Sequence, residues 1–177
     1  MNLWFRLIRI VLCGFFAKRV AWDAVTKVHF RVWPLDLDIN LHMTNSRYLA
    51  LMDLGRVNLI FQSGLWRLVR RDRLAPVLAS SMVRFRRPVK PFARITVTTQ
   101  VLGFDEKWLF IEHQILNGDE LMCHGIVKSI FLSKAGAVAP SFMARELGYI
   151  TPSPKLPEWI AAWQAAEQGA AQTGKAP

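Results

Sequence analysis

The chain has 177 residues, of which 52% are hydrophobic and 20% charged, and its formal net charge is +10. A chain of this size can bury one substantial core and is too short for two ordinary domains. Its two cysteines, Cys13 and Cys123, are far apart, and its four histidines lack ligand spacing, which argues against a disulfide framework and a metal site. We therefore expect one domain without a metal, in which both cysteines are reduced packing residues and not catalytic thiols.

The first predicted element is an apolar and basic helix from Leu3 to Phe16. Arg6 and Arg9 interrupt its apolar run, and the uninterrupted part is far shorter than the ~20 residues that span a bilayer. The pattern predicts either a helix in a membrane interface, with arginines reaching anionic headgroups, or a helix packed over the sheet or a dimer interface. In the first case the apolar anchors would be Trp4, Phe5 and Phe15. We expect a cytoplasmic protein, attached peripherally to the inner face of a membrane in that case.

A strand, a polar loop and a helix come next. Residues 25–33 alternate in polarity and end at Pro34, which is typical of a strand with a hard stop. A mostly apolar run from Tyr48 to Phe61 is closed by Ser63 and Gly64 and predicts a helix. Its N-terminal cap would be one of three adjacent residues: Thr44, Asn45 or Ser46.

The loop between that strand and that helix carries the best candidate for chemistry. It reads D-L-D-I-N-L-H-M-T-N-S-R-Y over residues 36–48 and brings Asp38 close to the helix N-terminus. Unpaired N–H groups and the positive end of the helix dipole suit an oxyanion there, so a carboxylate beside them suggests acyl chemistry. Aspartate and asparagine are also common in loops for structural reasons, and a lone His42 is more often structural than catalytic. Both interpretations stay open on the residues alone.

Past the central helix the sequence predicts a meander of strands. Turns are predicted at residues 88–91, at residues 105–106 and at Asn117-Gly118, a strong hairpin signal. The four predicted strands cover residues 76–87, 93–104, 107–116 and 121–132.

The C-terminal part adds little chemistry. A short helix is predicted at residues 141–147, a proline-punctuated connector at 151–157, a helix at 158–168 and a flexible tail at 169–177. The expected organisation is an N-terminal helix region (1–24), one main domain (25–150) and a C-terminal helix with its tail (151–177).

The loop motif resembles the signature of a known family. The pattern D-x-D-x-x-x-H-x-x-N-x-x-Y is similar to that of hotdog-fold thioesterases of the 4-hydroxybenzoyl-CoA thioesterase type; it is held here by Asp36, Asp38, His42, Asn45 and Tyr48. The segments at 43–53, 85–88 and 104–108 resemble a less characterised thioesterase-like branch of that superfamily. The resemblance covers about residues 25–150. It implies an α+β hotdog fold, in which a curved antiparallel sheet wraps around a long central helix.

The resemblance also implies roles for the loop residues. In the family the second aspartate of the D-x-D pair is the catalytic carboxylate, which places that role on Asp38, as general base or as nucleophile. A backbone N–H near Asn45 would polarise the thioester carbonyl, with His42 as an organiser of the loop. Two positions depart from the pattern: Leu41 replaces a glycine of many relatives, and Thr44 replaces an asparagine.

Basic residues cluster in two regions that would attract the phosphates of coenzyme A. One cluster surrounds a predicted strand and its turn: Arg84, Arg86, Arg87, Lys90 and Arg94. The other follows the central helix: Arg67, Arg70, Arg71 and Arg73. A solvated strand face is the alternative for any one of them. Nucleic acid is not expected as a partner, because the chain has no recognised motif and few aromatics between its basic groups.

Three other titratable residues, Asp53, His113 and His124, could be functional or structural. Asp53 on the central helix is a rival carboxylate, but Arg56 lies three positions later, where an ion pair forms naturally on a helix. We therefore favour a structural pair. His113 and His124 should be near neighbours on adjacent strands, directly opposite or offset by one pair, and we expect structural roles for both.

These observations predict an acyl-CoA thioesterase that hydrolyses a fatty or aromatic acyl-CoA. No separate cofactor is expected, since coenzyme A is part of the substrate. Hotdog proteins generally form dimers with active sites at the subunit interface, so the resemblance implies a homodimer or a higher homo-oligomer. The alternative is a non-catalytic module that binds acyl-CoA or lipid at a membrane surface.

Overall fold

A computed structural model describes residues 3–149 and 153–173 of the chain. The helices are α1 (Leu3–Phe16), α2 (Asn45–Gln62), α3 (Leu65–Arg71), α4 (Pro140–Glu146) and α5 (Glu158–Thr173). The strands are β1 (Thr26–Arg31), β2 (Ala75–Phe85), β3 (Arg94–Phe104), β4 (Leu109–Asn117), β5 (Glu120–Ser133) and β6 (Gly136–Val138). A 3₁₀ turn, Pro34–Asp36, follows β1.

Most predicted elements are present with shifted ends. The central helix begins three residues earlier than predicted, because Thr44 is its cap and Asn45 its first residue. Two short elements, α3 and β6, were not predicted. The tail predicted from residue 169 is wrong at its start, since α5 continues to Thr173. Residues 174–177 of that tail, and 150–152 around the predicted connector, lie outside the described residues.

The sheet is antiparallel, with strand order β1-β3-β4-β5-β2 and β6 paired to β5. Along β3, buried and less buried residues alternate strictly, as expected for a strand with one face on a core. That face meets the long helix α2, which contacts β1, β3 and β4. The result agrees with the predicted α+β architecture of a sheet wrapped around a central helix.

Helix α2 is enclosed on nearly all sides. Of its eighteen residues only Asn45, Ser46, Leu49 and Asp53 are exposed. Gly55 allows the closest approach to the sheet, because a Cβ at that position would collide with the hydroxyl of Thr99 on β3. The sheet and its neighbours cover most of the helix surface, which explains why the helix has no wide polar face.

Helix α1 packs on the side of α2 that the sheet leaves open. At Gly14 a Cβ would come within 2.7 Å of the Cβ of Phe61, so the two helices touch closely. Arg6, expected to reach lipid headgroups, is instead 1% exposed and forms a buried ion pair with Asp36. For Arg6 this part of the membrane interpretation is wrong, because Asp36, thirty residues further along the chain, binds its guanidinium inside the protein. In the part of the chain that the structure describes, no helix is both long and apolar enough to cross a bilayer.

The two cysteines differ in environment. Cys13 on α1 is exposed, so the expectation that it is a packing residue is wrong. Cys123 on β5 is buried, and burial raises the pKa of its thiol to about 12. A thiol with so high a pKa stays protonated and is a poor nucleophile, which agrees with the packing role expected for Cys123.

Candidate active site

The two aspartates of the D-x-D pair have different environments. Asp36 is 1% exposed, and its carboxylate binds Arg6 at 2.5 Å and Arg47 at 2.9 Å. It also accepts a hydrogen bond from the backbone N–H of Trp33 at 2.9 Å. Asp36 is thus a buried anchor that ties α1, the 3₁₀ turn and the first turn of α2 together.

Asp38, two residues later, points to the surface. Its Oδ1 accepts hydrogen bonds from the backbone N–H groups of Asn40, at 2.8 Å, and His42, at 3.2 Å. The backbone of the loop closes on itself as well, since the N–H of Asp38 donates to the carbonyl of His42 at 2.8 Å. These bonds hold the carboxylate in one orientation while leaving it open to solvent.

The start of α2 lies directly after this loop. The hydroxyl of Thr44 accepts a hydrogen bond from the backbone N–H of Arg47 at 3.3 Å and thereby caps the helix. The first N–H groups of an α-helix have no partner within the helix, and here they belong to Asn45 and Ser46. The predicted juxtaposition of a carboxylate and a helix N-terminus is therefore present.

A cleft of about 280 Å³ joins these groups to the end of β2. It brings together six of the residues that the sequence singled out: Asp38, His42, Asn45, Tyr48, Arg86 and Arg87. Met43, Phe85 and Pro88 complete its lining; Phe85 and Pro88 belong to a segment that carried the family resemblance, but neither was chosen as a site residue. Arg84 and Lys90 are exposed nearby without lining the cleft.

Tyr48 supports one wall of the cleft. Its hydroxyl accepts a hydrogen bond from the backbone N–H of Val89 at 3.2 Å, and its ring meets Phe85 edge-on at 5.1 Å. The residue is 2% exposed, and burial raises the pKa of its phenol. Tyr48 is therefore a neutral organiser of the segment that follows β2.

A second cavity lies between α2 and the sheet. It has a volume of about 230 Å³ and is mainly apolar, with walls that include Trp22, Val57, Ile60, Val101, Leu109 and Phe131. Asp53 and Arg56 are the charged residues of its lining, and they form the predicted ion pair. This cavity reaches the exposed edge of the sheet at Val77 and Leu78.

Arg56 is held by a buried histidine. The Nη1 of Arg56 lies 3.2 Å from Nε2 of His113, whose Nδ1 lies 3.0 Å from the hydroxyl of Thr99. Burial lowers the pKa of His113 well below its usual value, so a neutral ring accepts from Arg56 and donates to Thr99. Burial also lowers the pKa of Arg56 to about 10.

The two strand histidines are offset by one pair and lie on opposite faces. His113 stands opposite Gly125, whereas His124 stands opposite Gln114 and binds Glu112 at 2.8 Å. Both have the structural surroundings that we expected. Within residues 3–149 and 153–173, no group of three histidine, cysteine or acidic side chains is arranged to hold a metal ion.

Leu41, at a position where many relatives have glycine, has an unusual backbone conformation. Leu41 has a φ of +58°, in the left-handed region that favours glycine, and its side chain is 65% exposed. Leu41→Gly should relieve this strain with little loss of packing. We expect a gain of about 0.5–1 kcal/mol in the free energy of unfolding, measured from urea denaturation.

The matched control is Ile39→Gly in the same loop. Ile39 is 97% exposed and lies outside the left-handed region. Added backbone freedom without relief of strain should lower its free energy of unfolding. Equal losses in both variants would show that the conformation of Leu41 costs nothing.

Comparison with known proteins identifies the family. The model of the thioesterase-like superfamily matches residues 32–164, which is most of the chain. The chain therefore belongs to the thioesterase-like superfamily. The match spans the D-x-D loop, α2 and all of the strands except β1.

Relatives and solved structures agree with this assignment. The chain is 29% identical over 137 residues to protein THEM6 of Drosophila melanogaster, covering 76% of this chain and 68% of that one. It is 26% identical over 172 residues to thioesterase lcsJ of Purpureocillium lilacinum, covering 81% of this chain and 56% of that one. Thus it spans only part of the length of either relative.

Two solved structures show the same fold. The probable thioesterase YbaW from Escherichia coli has a TM-score of 0.65 at 20% identity, covering 70% of this chain and 96% of that one. A thioesterase from Thermus thermophilus, complexed with coenzyme A and zinc, has a TM-score of 0.60 at 22% identity, covering 68% of this chain and 89% of that one. The predicted hotdog fold is confirmed, and the named relatives support the predicted class of enzyme, a thioesterase. The narrower 4-hydroxybenzoyl-CoA type stays a prediction.

Proposed function

We propose that this protein hydrolyses the thioester of a fatty or aromatic acyl-CoA, with Asp38 as the catalytic carboxylate. The observation that carries the proposal is the contrast between the two aspartates of the loop. Asp36 is buried in ion pairs, whereas Asp38 is exposed in a cleft beside the N-terminus of α2. Of these two carboxylates, Asp38 is the one that is accessible to a substrate.

The chemistry follows from this arrangement. The thioester carbonyl oxygen would accept hydrogen bonds from the first N–H groups of α2, near Asn45, which stabilise the charge that develops on it. Asp38 would act as general base for a water, or attack the carbonyl carbon itself and form an anhydride that water then opens. In either route the carbon–sulfur bond breaks, the coenzyme thiol leaves with a proton, and a carboxylic acid remains.

The loop would keep Asp38 in position during the reaction. Both of its hydrogen bonds go to Oδ1, and no hydrogen bond from a described residue reaches Oδ2. The second oxygen is thus the one available to a water or a carbonyl carbon. The backbone of His42 supplies one of the two bonds, so its contribution as an organiser does not require its ring.

Basic residues at the rim would hold the coenzyme. Arg86 and Arg87 line the cleft, and Arg84 and Lys90 are exposed on either side of them. Guanidinium groups bind phosphate oxygens in pairs of hydrogen bonds, which suits the phosphates of coenzyme A. Arg87 is also paired with Glu120 at 2.6 Å, so Arg86 has the more available charge of the two lining residues.

A homodimer would complete the site. Strand β2 ends the strand order and has one side unpaired within the described chain, and four of its apolar side chains are 39–44% exposed: Val77, Leu78, Met82 and Phe85. A bare apolar edge strand is a template for pairing with another strand. Pairing two copies of β2 antiparallel about its middle, Ser80, would set Val77 of one copy opposite Val83 of the other and Ala75 opposite Phe85.

This pairing would place the apolar cavity of one subunit beside the cleft of its partner. Val77 and Leu78 on β2 belong to the lining of the cavity, whereas Phe85 and Arg86 at the other end of β2 belong to the lining of the cleft. The acyl group would then enter the apolar cavity while its thioester stays at Asp38. A site divided in this way gives the apolar chain and the charged coenzyme separate surroundings.

Thiol release from short-chain, long-chain and aromatic acyl-CoAs tests the function. We expect turnover on at least one of them, and the preferred member defines the acyl group. Light scattering on the same preparation should give about twice the chain mass of 20.2 kDa. Tight binding of acyl-CoA without release of thiol from any member would contradict the proposal and favour the non-catalytic binding module.

A further inference from the structure

The outward face of α1 is apolar, the reverse of an ordinary surface helix. Six large hydrophobic side chains of this helix are 51–91% exposed: Trp4, Phe5, Ile8, Leu12, Phe15 and Phe16. Arg9 is the one charged side chain that this helix exposes within residues 3–16. Large exposed apolar patches of this kind mark surfaces that contact another molecule or a membrane.

The inward face explains why the apolar side chains remain outside. Arg6, Ile10 and Gly14 are buried at four-residue spacing and form the face that meets the rest of the protein. Arg6 is fixed by Asp36, and Gly14 fits against Phe61. Rotating the helix to bury its aromatic side chains would expose the ion pair and separate Gly14 from its contact, so the orientation is built into the fold.

Aromatic contacts extend this apolar face toward α3. The ring of Phe15 meets the rings of Phe61 and Trp66 edge-on, with centroids 5.1 and 5.2 Å apart. The guanidinium of Arg67 lies 5.5 Å from the centroid of the Trp66 ring. Apolar surface and positive charge therefore lie side by side at the C-terminal end of α1.

Cations gather at this same end. Arg19 lies beside Gly64 in a hollow of about 180 Å³ that Arg67 and Arg71 also line. Arg71 is paired with Asp72 and Glu146. By contrast, Lys18, Arg19 and Arg67 have no carboxylate partner among residues 3–149 and 153–173.

We propose that this face docks on an anionic phospholipid bilayer, with α1 lying in the plane of the membrane. The apolar side chains of α1 would enter the acyl-chain boundary, while Lys18, Arg19 and Arg67 bind lipid phosphates. With 14 residues, α1 is about 21 Å long, which suits a helix that lies on the surface. A second copy is a poorer occupant, because pairing two such faces would bring the cations Lys18, Arg19 and Arg67 of both copies together.

Flotation with lipid vesicles tests this proposal on the full chain. The wild type should float with vesicles of phosphatidylcholine and phosphatidylglycerol, bind phosphatidylcholine alone more weakly, and be released by salt. The triple variant Phe5→Ser/Ile8→Ser/Leu12→Ser should lose at least about tenfold in affinity for both. The double variant Arg19→Gln/Arg67→Gln should lose about tenfold on anionic vesicles only.

Matched variants elsewhere on the surface provide the controls. Leu132→Ser/Trp159→Ser removes exposed apolar side chains from β5 and α5, and Lys134→Gln/Lys155→Gln removes two exposed charges. Both should keep wild-type binding, and urea denaturation should show that all four variants fold. Equal losses in the controls would overturn the proposal. Absence of vesicle binding by the wild type would overturn it as well. If the triple variant then had a lower oligomeric mass than the wild type, a second copy would be the occupant of this face.

Discussion

Asp38→Asn is expected to lower kcat for thioester hydrolysis by about 10²–10⁴-fold, the usual contribution of a general base, and by more if Asp38 is the nucleophile. An amide cannot take a proton from water or attack a carbonyl carbon. The asparagine oxygen can still accept from the N–H groups of Asn40 and His42, so the loop should keep its conformation. Thiol release at saturating substrate gives kcat, and urea denaturation should give an unchanged midpoint.

Asp53→Asn is the matched control for this experiment. It makes the same chemical change in the other candidate carboxylate, which is 64% exposed and already paired with Arg56. We expect this variant to retain most of its activity, because Asp53 lies in the lining of the apolar cavity and not beside the N-terminus of α2. Unchanged turnover in Asp38→Asn with loss in Asp53→Asn would move the catalytic role to α2.

Among the proposed single substitutions, Asp36→Asn should lower the free energy of unfolding the most. Arg6 is almost fully enclosed and depends on the Asp36 carboxylate for its charge partner, and Arg47 binds the same group. Removing one member of a buried ion pair leaves an uncompensated charge, which costs about 3–5 kcal/mol. Urea denaturation should show a free energy of unfolding lower by that amount, seen as a midpoint at lower urea concentration with an unchanged slope.

An exposed ion pair provides the control for Asp36. Asp72 binds Arg71 at 2.7 Å on the surface, where water screens the attraction. Asp72→Asn should leave the denaturation midpoint close to that of the wild type. If Asp36→Asn were no more destabilising than Asp72→Asn, the buried pair could not be what fixes α1 to the loop.

The Arg6–Asp36 ion pair also links two parts of the protein that are proposed to be functional. It joins the helix proposed to meet the membrane with the loop that carries Asp38, two residues further along the chain. A protein docked through α1 would hold that loop at a set position relative to the bilayer. Measuring activity in the presence of the vesicles used for flotation would show whether docking changes turnover.

The candidate active site could be predicted only in part from the sequence. The D-x-D spacing and the cap residues placed Asp38 beside a helix N-terminus, and the structure has them together. The different surroundings of Asp36 and Asp38 could not be predicted, because burial of Asp36 depends on Arg6 from another helix. Nor could the sequence separate Arg86, which lines the cleft, from Arg84, which does not.

The residues alone were enough to predict the order of the longer helices and strands, the loop motif, and the ion pair of Asp53 and Arg56. These follow from patterns within a few residues, such as alternation, capping and helical spacing, which act before distant parts of the chain meet. The burial of Arg6 and the exposure of the aromatic side chains of α1 follow from the way the folded elements pack. The contact between His113 and Arg56 is another result of that packing. Those outcomes depend on which residues meet across long separations, and that is set by the packing of α1 and the sheet around α2.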